Sequence, residues 1–496
     1  MADLKALLDA PIRWQAAFTD PDVRDLLEDM QANILKSHGR HHAAHMALGF
    51  AGMAADDVAA VIRALGRHCT SAWHQLRTNR RYPPHLDGGP VRCLVLGAGG
   101  YKALGKHARM PEGEAFRAGM AARAGILADP PRQAWQAAGW RDQAPDAMVL
   151  LADADPHAVT RDLEAVERWL DGTGVRILVI ERGLQQTRRF RPGEKPEAVE
   201  HFGYVDGRSQ PIFLAEDLAR EEQSVAAEPK DKADPGAPWS PRFKPSQFIV
   251  ADPNGRRRHA AGSYFVFRKL EQDVRGFNAA EDALGRALFG QDAGDDLLEL
   301  AGAMIVGRFE DGTPLVRSRK ALGQAVPNGF TYDGDTDGAK CPFHAHIRKT
   351  NPRGDVQRQF GLPDASGDRN PIMARRGMTY GPKRPMSRDG SEFADKGKEP
   401  VQDSGLLFMA YMASIEAQFE FTQQSWANNA DFVRPGTGVD PVIGQTADPA
   451  QRQHRFQDGH TPGATPTTQP FAQFVHLQGG EYFFAPSLSF LRGVGL

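Results

Sequence analysis

Cysteine is scarce: Cys69, Cys93 and Cys341 are the only three in 496 residues, and no CxxC pair occurs among them. That excludes a disulfide framework and a thiolate zinc centre. Excess charge of one sign is also missing, with 60 Lys and Arg against 62 Asp and Glu and a formal net charge of -2. Such a chain has no general pull toward nucleic acid or anionic lipid. No run reaches the ~18 apolar residues that span a bilayer, and Met1 to Gln15 lacks the basic start and apolar stretch of a secretion signal. The expectation is a cytoplasmic protein that meets neither nucleic acid nor membrane and whose partners are small molecules. A hydrophobic fraction of 41% and a charged fraction of 25% fit a folded globular chain, and the length favours two domains.

Periodicity predicts a strand over 42–50 and a helix over 56–67, where Val58, Val61, Ile62 and Leu65 share one face. Strands at 91–96 and 148–153, a helix after Pro156 and a strand at 175–180 complete the order β-α-β-β-α-β. Pro156 suits a first helical turn, and Gly172 with Gly174 suit the exit. This is the split pattern of ferredoxin-like folds. From Glu216 to Pro245 the composition is that of a linker. The reading is a first domain at 1–225, a linker or surface loop at 226–245 and a second domain at 246–496. The second domain is expected to repeat the first, with strands at 264–270, 373–380 and 406–412 and helices at 279–300 and 415–426. The Gly- and Pro-rich interval from Asp333 to Ser404 is long for a connection, and such intervals usually carry function.

Residues 341–353 read CPFHAHIRKTNPR, which sets His344 and His346 among Arg348, Lys349 and Arg353. An imidazole can hold haem iron and guanidinium groups can pair with propionates; a solvated basic loop has the same composition. Residues 201–211 read HFGYVDGRSQP, where Asp206 is either a reacting acid or the first residue of an ordinary Asp-Gly turn. His38, His41, His42 and His45 have spacings that suggest a transition-metal site. Along a strand, however, His42 and His45 point to opposite faces.

GYVDGRSQP, CPFHAHIRKTNPR and MARRGMTYGP together resemble the motif set of the dye-decolorizing peroxidase family. The likeness extends over nearly the whole chain: Gln31-Ala32-Asn33-Ile34, Gly405 to Phe408, Phe419-Glu420-Phe421 with Trp426, Asp440 to Gly444, and Gly480 to Phe484. It looks closest to the longer, insertion-bearing members. The resemblance implies an α+β fold of two ferredoxin-like β-α-β-β-α-β domains in a dimeric α/β-barrel-like arrangement, with haem b mainly in the second. It implies His346 as iron ligand, Asp206 and Arg375 on the opposite face, Arg348 and Arg353 as propionate partners, and Leu406 and Phe408 as pocket walls. Asp440, or in second place Glu420, would accept the other ring N–H of His346, a bond that fixes the tautomer. His344 stands where the family pattern has a small residue.

The implied activity is reduction of hydrogen peroxide and oxidation of dyes, phenols or other aromatic reductants through a ferryl intermediate, with manganese(II) a further reductant in some relatives. Asp206 would serve as base and then acid, and Arg375 would stabilise developing charge. An aspartate base, with an intrinsic pKa near about 4, gives an acidic optimum. Electrons from bulky dyes would enter at surface aromatics, Trp426 first and Tyr380 second. A haem carrier, or another haem enzyme of this fold that decomposes an oxyanion or releases iron, would keep His346 but leave Asp206 and Arg375 without a purpose.

Overall fold

The computed structural model describes residues 3–81, 88–193, 195–226, 239–323 and 328–496. Small and apolar residues alternate along β1 (His42–Gly49), so it is buried on both faces. Ala43 and Ala47 enter one core cluster, and Ala44, Met46 and Leu48 another. Helix α1 (Ala55–His68) places acids in its first turn and Arg67 and His68 in its last, as the helix dipole favours. After β2 (Val91–Gly97) and β3 (Ala147–Asp153), helix α2 (Pro156–Leu170) starts on Pro156 and is capped by the Asp155 side chain. With β4 (Arg176–Leu184), the first half forms an antiparallel sheet in the order β4-β1-β3-β2.

In the second half, β5 (Ala261–Gln272) is followed by α3 (Val274–Phe289), α4 (Asp295–Val306) and α5 (His346–Thr350). Strands β6 (Met378–Tyr380), β7 (Gly405–Met412) and β8 (Val475–Ala485) complete the order β6-β7-β5-β8. The two sheets join at narrow seams: Tyr380 opposite Gly183 on one side, and Phe483 and Phe484 opposite Gly97 and Leu96 on the other. Gly183 lets the Met378 side chain lie close there, since a Cβ would stand 2.6 Å from Met378 Sδ. Eight strands thereby close into an antiparallel β-barrel. Cys93, Leu150, Phe267 and Met409 fill its interior, and the outer face of Met46, Val149, Val266 and Phe484 packs against α1 and α2. The fold is a mixed α/β one built on this barrel.

Three expectations need correction. The helix expected at 279–300 is the pair α3 and α4, because Gly290 ends α3 at φ +102°. The strand expected at 373–380 is split into Ala374–Arg375 and β6. The linker composition from Glu216 begins inside a helix, Ala215–Ala226, held by buried Leu218 with Glu216 and Asp217 in its first turn. Positions 227–238 of the expected linker lie outside the described residues.

Candidate active site

One cavity gathers residues from both halves. The 200–209 loop lines it, as do the same-face residues Arg268, Leu270 and Gln272 of β5, Leu406 and Phe408 of β7, and His346, Ile347 and Thr350 of α5. His346 Nδ1 lies 2.9 Å from Asp440 Oδ2. Asp440 is fully buried, and its Oδ1 accepts the amides of Val442 at 2.8 Å and Ile443 at 3.0 Å. Burial alone would raise the Asp440 carboxyl; His346 beside it and the two amides outweigh that and hold it below the usual range. An ionised acceptor holds an imidazole proton at Nδ1, so Nε2 is the ring nitrogen left to a ligand.

Asp206 sits on the loop between the short strand Glu197–Val199 and Gly207, turned by Gly203 at φ +113°. Its amide donates to Ala198 O at 3.0 Å, and its Oδ1 accepts from Gly207 N at 2.6 Å. Arg375 is fixed by its amide on Gln210 Oε1 at 3.1 Å and by Nη2 on Arg208 O at 2.8 Å. Both residues line the cavity that His346 lines.

Two further guanidinium groups face this space. Arg353 donates to the carbonyls of Asn328 and Phe330 and to Ser209 Oγ; Arg308 donates to Gly312 O, Ser209 Oγ and Asn328 Oδ1. Neither has a carboxylate partner among the described residues. Burial, and then the charge of Arg353, draws Arg308 down to about 9; burial draws Arg353 down to about 10. Buried cations without counter-charge call for an anion. Gln272 Oε1, Asn351 Oδ1 and Thr422 Oγ1, all on lining residues, are buried with no hydrogen-bond partner among the described residues. An apolar-walled space with a tethered imidazole and two uncompensated guanidiniums fits haem, which has a metal ion, an apolar ring and two carboxylates.

Several expected placements are corrected. Arg348 does not line the cavity: two residues from His346 on a helix it points the other way. Its buried guanidinium is held by Asp335 at 2.8 Å and Asp355 at 2.7 Å. Glu420 does not reach His346; it pairs with Arg123 at 2.8 Å and accepts from Tyr482 Oη. Trp426, 2% exposed and stacked on Phe432 at 5.3 Å, is not a surface aromatic, and neither is Tyr380 at 6%. His344 is buried against His454 and Phe456. His45 is buried against Phe267, and no group of His, Cys, Asp or Glu among the described residues is arranged to hold a metal ion. Arg308 was missed, because GRFEDGTP at the exit of an apolar helix reads as an ordinary turn.

A tethered imidazole and an acid with a guanidinium are thus brought to one cavity on a β-barrel flank. No protein-family profile matches the chain. Over 495 residues it is 40% identical to the multifunctional dye peroxidase DyP2 of Amycolatopsis sp., covering 98% of this chain and 99% of the relative. It is 33% identical over 421 residues to the dye-decolorizing peroxidase msp1 of Mycetinis scorodonius, covering 81% of this chain and 75% of the relative. Among solved structures, the DyP-type peroxidase of Anabaena sp. superposes with a TM-score of 0.86 at 34% identity, covering 99% of each chain. The chain belongs to the dye-decolorizing peroxidase family and is an enzyme acting on peroxide. Members of that family are haem enzymes. Among the described residues no helix is long and apolar enough to cross a membrane.

Proposed function

We propose that this cavity binds haem b with His346 as the iron ligand, and that the chain reduces hydrogen peroxide with electrons drawn from dyes, phenols or other aromatic donors. The observation that carries the reading is that His346, Asp206 and Arg375, far apart in sequence, line one cavity. Asp440 keeps the imidazole oriented, and Arg353 with Arg308 provides charge for the two propionates. Leu406 and Phe408 form apolar wall and exclude water.

Haem held by His346, Arg353 and Arg308 would supply the two-electron redox couple that reduction of peroxide needs. The protein moves the proton. Gly207 N steadies Asp206 through Oδ1, and the carboxylate takes a proton from peroxide and returns it to the departing oxygen, which leaves as water. Arg375 keeps N–H groups beyond the one committed to Arg208 O, and these offset the negative charge that develops as the bond breaks.

The order β4-β1-β3-β2, mirrored by β6-β7-β5-β8, supports two ferredoxin-like units with a boundary between 225 and 246. Three buried free thiols suit a reducing cytoplasmic setting.

Stopped-flow mixing of the haem-loaded protein with one equivalent of peroxide tests the assignment. Asp206→Ala should retain haem and react about 100-fold more slowly or worse. Reaction at the wild-type rate would remove Asp206 from the mechanism.

A further inference from the structure

The loop that presents Asp206 is wound around a carboxylate that the mechanism does not use. Glu200 Oε1 accepts the amide of Tyr204 at 3.0 Å, and Oε2 accepts the amide of Phe202 at 2.9 Å. Its own amide donates to Tyr204 O at 3.1 Å, and its carbonyl accepts from Gly203 N at 3.1 Å. Four bonds therefore close residues 200–204 on themselves, two of them through one side chain. Oε2 also accepts Nε2 of Gln272 at 2.6 Å. Gln272 ends β5, the strand whose Arg268 and Leu270 line the same cavity. Glu200 thus ties the acid-bearing loop of the first half to the wall supplied by the second.

The neighbouring residues brace the loop from outside. Phe202 stacks on Phe277 at 3.9 Å, Tyr204 Oη donates to Glu281, and Val205 N donates to Glu310 O at 3.0 Å. None of these reaches β5. Glu200 lines the cavity and is half-buried; burial first, and the charge of Asp206 among lesser causes, raise it to about 7. Each atom of this carboxylate is committed to a donor of the loop or of β5, an arrangement that fixes geometry.

We infer that Glu200 is a positioning residue for Asp206: its carboxylate sets the height and direction of the 200–206 loop against β5, and so the place at which the Asp206 carboxylate meets peroxide. The inference rests on the proposed role of Asp206. Glu200→Gln preserves shape but sets an amide nitrogen against the N–H donors, so at least one loop bond is lost.

The experiment is a double-mutant cycle on haem-loaded protein. Peroxide reaction rates are measured for wild type, Glu200→Gln, Asp206→Ala and the pair, with amide hydrogen exchange at Phe202 and Tyr204 as a second readout. The expected results are a peroxide rate about tenfold lower in Glu200→Gln, and exchange at least about tenfold faster at one of the two amides, the equivalent of one lost hydrogen bond. In the Asp206→Ala background, Glu200→Gln should change the rate by less than about twofold, because a group that acts only through Asp206 has nothing left to act on. An equal, additive loss in both backgrounds would overturn the inference, as would a wild-type rate in the single variant. If Asp206→Ala itself reacts at the wild-type rate, the proposed mechanism falls and the inference with it. Should Glu200→Gln fail to fold, Gln272→Leu removes only the tie to β5. Its expected loss of about threefold, the worth of one neutral hydrogen bond at the low end, should again vanish in the Asp206→Ala background; persistence there would overturn the inference.

Discussion

The Asp440 carboxylate stands 2.9 Å from His346 Nδ1 with no exposed surface of its own. A buried anion on that ring raises the basicity of the opposite nitrogen and fixes the plane of the ring. Asp440→Asn keeps the shape and removes the charge. It should speed haem loss about 10- to 100-fold, the usual worth of such a supporting bond. Transfer of haem to an excess of an apo-globin measures this, and a retention time equal to wild type would show that the tether does not govern ligation.

Arg348 and Arg308 should behave oppositely. Arg348→Met takes from buried Asp335 its only paired cation among the described residues and leaves Asp355 with Arg358 alone, a loss of about 3 kcal/mol or more in urea unfolding. Arg308→Met removes a cation that has no acid partner among the described residues and faces the cavity, so it should weaken haem binding about 10-fold or more, the worth of a charge-assisted bond. A stable Arg348→Met protein that releases haem would reverse the assignment of these two side chains.

His45 shapes the response to acid. Burial draws its ring down to about 4, whereas in the unfolded chain it titrates near about 6.5. Between those values the unfolded state holds the extra proton, so the contribution of His45 to stability is complete above about 6.5 and drains away as pH falls toward about 4. Each pH unit in that window costs about 1.4 kcal/mol. His45→Phe should therefore narrow the stability difference between pH 7.5 and pH 5 by about 2 kcal/mol. Parallel denaturation curves of variant and wild type at the two pH values decide it; an unchanged difference would mean that the ring is already charged in the folded protein.

The strands of the first half were legible because the same residues that form them also fill the core, inside the barrel or beneath the helices. Met46, Leu94 and Val149 are core whichever strand is paired with which. The family resemblance, not spacing, singled out His346, Asp206 and Arg375, and the fold brings all three to one cavity. What spacing could not settle was which arginine of CPFHAHIRKTNPR faces the ligand, since Asp335 and Asp355, the acids that claim Arg348, are identified only once the chain has folded. The phase of α5 was the unused signal: His346 and Thr350 share a face, and Arg348 does not. The helix Ala215–Ala226 was hidden by its charges, for among its described side chains the fully buried apolar one is Leu218.

The barrel seams, one residue pair wide at Tyr380 and Gly183 and two wide at Phe483 and Phe484, have a consequence for how the enzyme can be divided. Each four-stranded sheet satisfies nearly all of its ladder bonds within itself, so few backbone bonds hold the halves together. The chemistry is partitioned differently: the acid arrives on a loop of one half, and the imidazole and guanidinium on the other. The cavity belongs to the joint between them, and a chain cut between the halves would leave His346 and Arg375 on one fragment and Asp206 on the other.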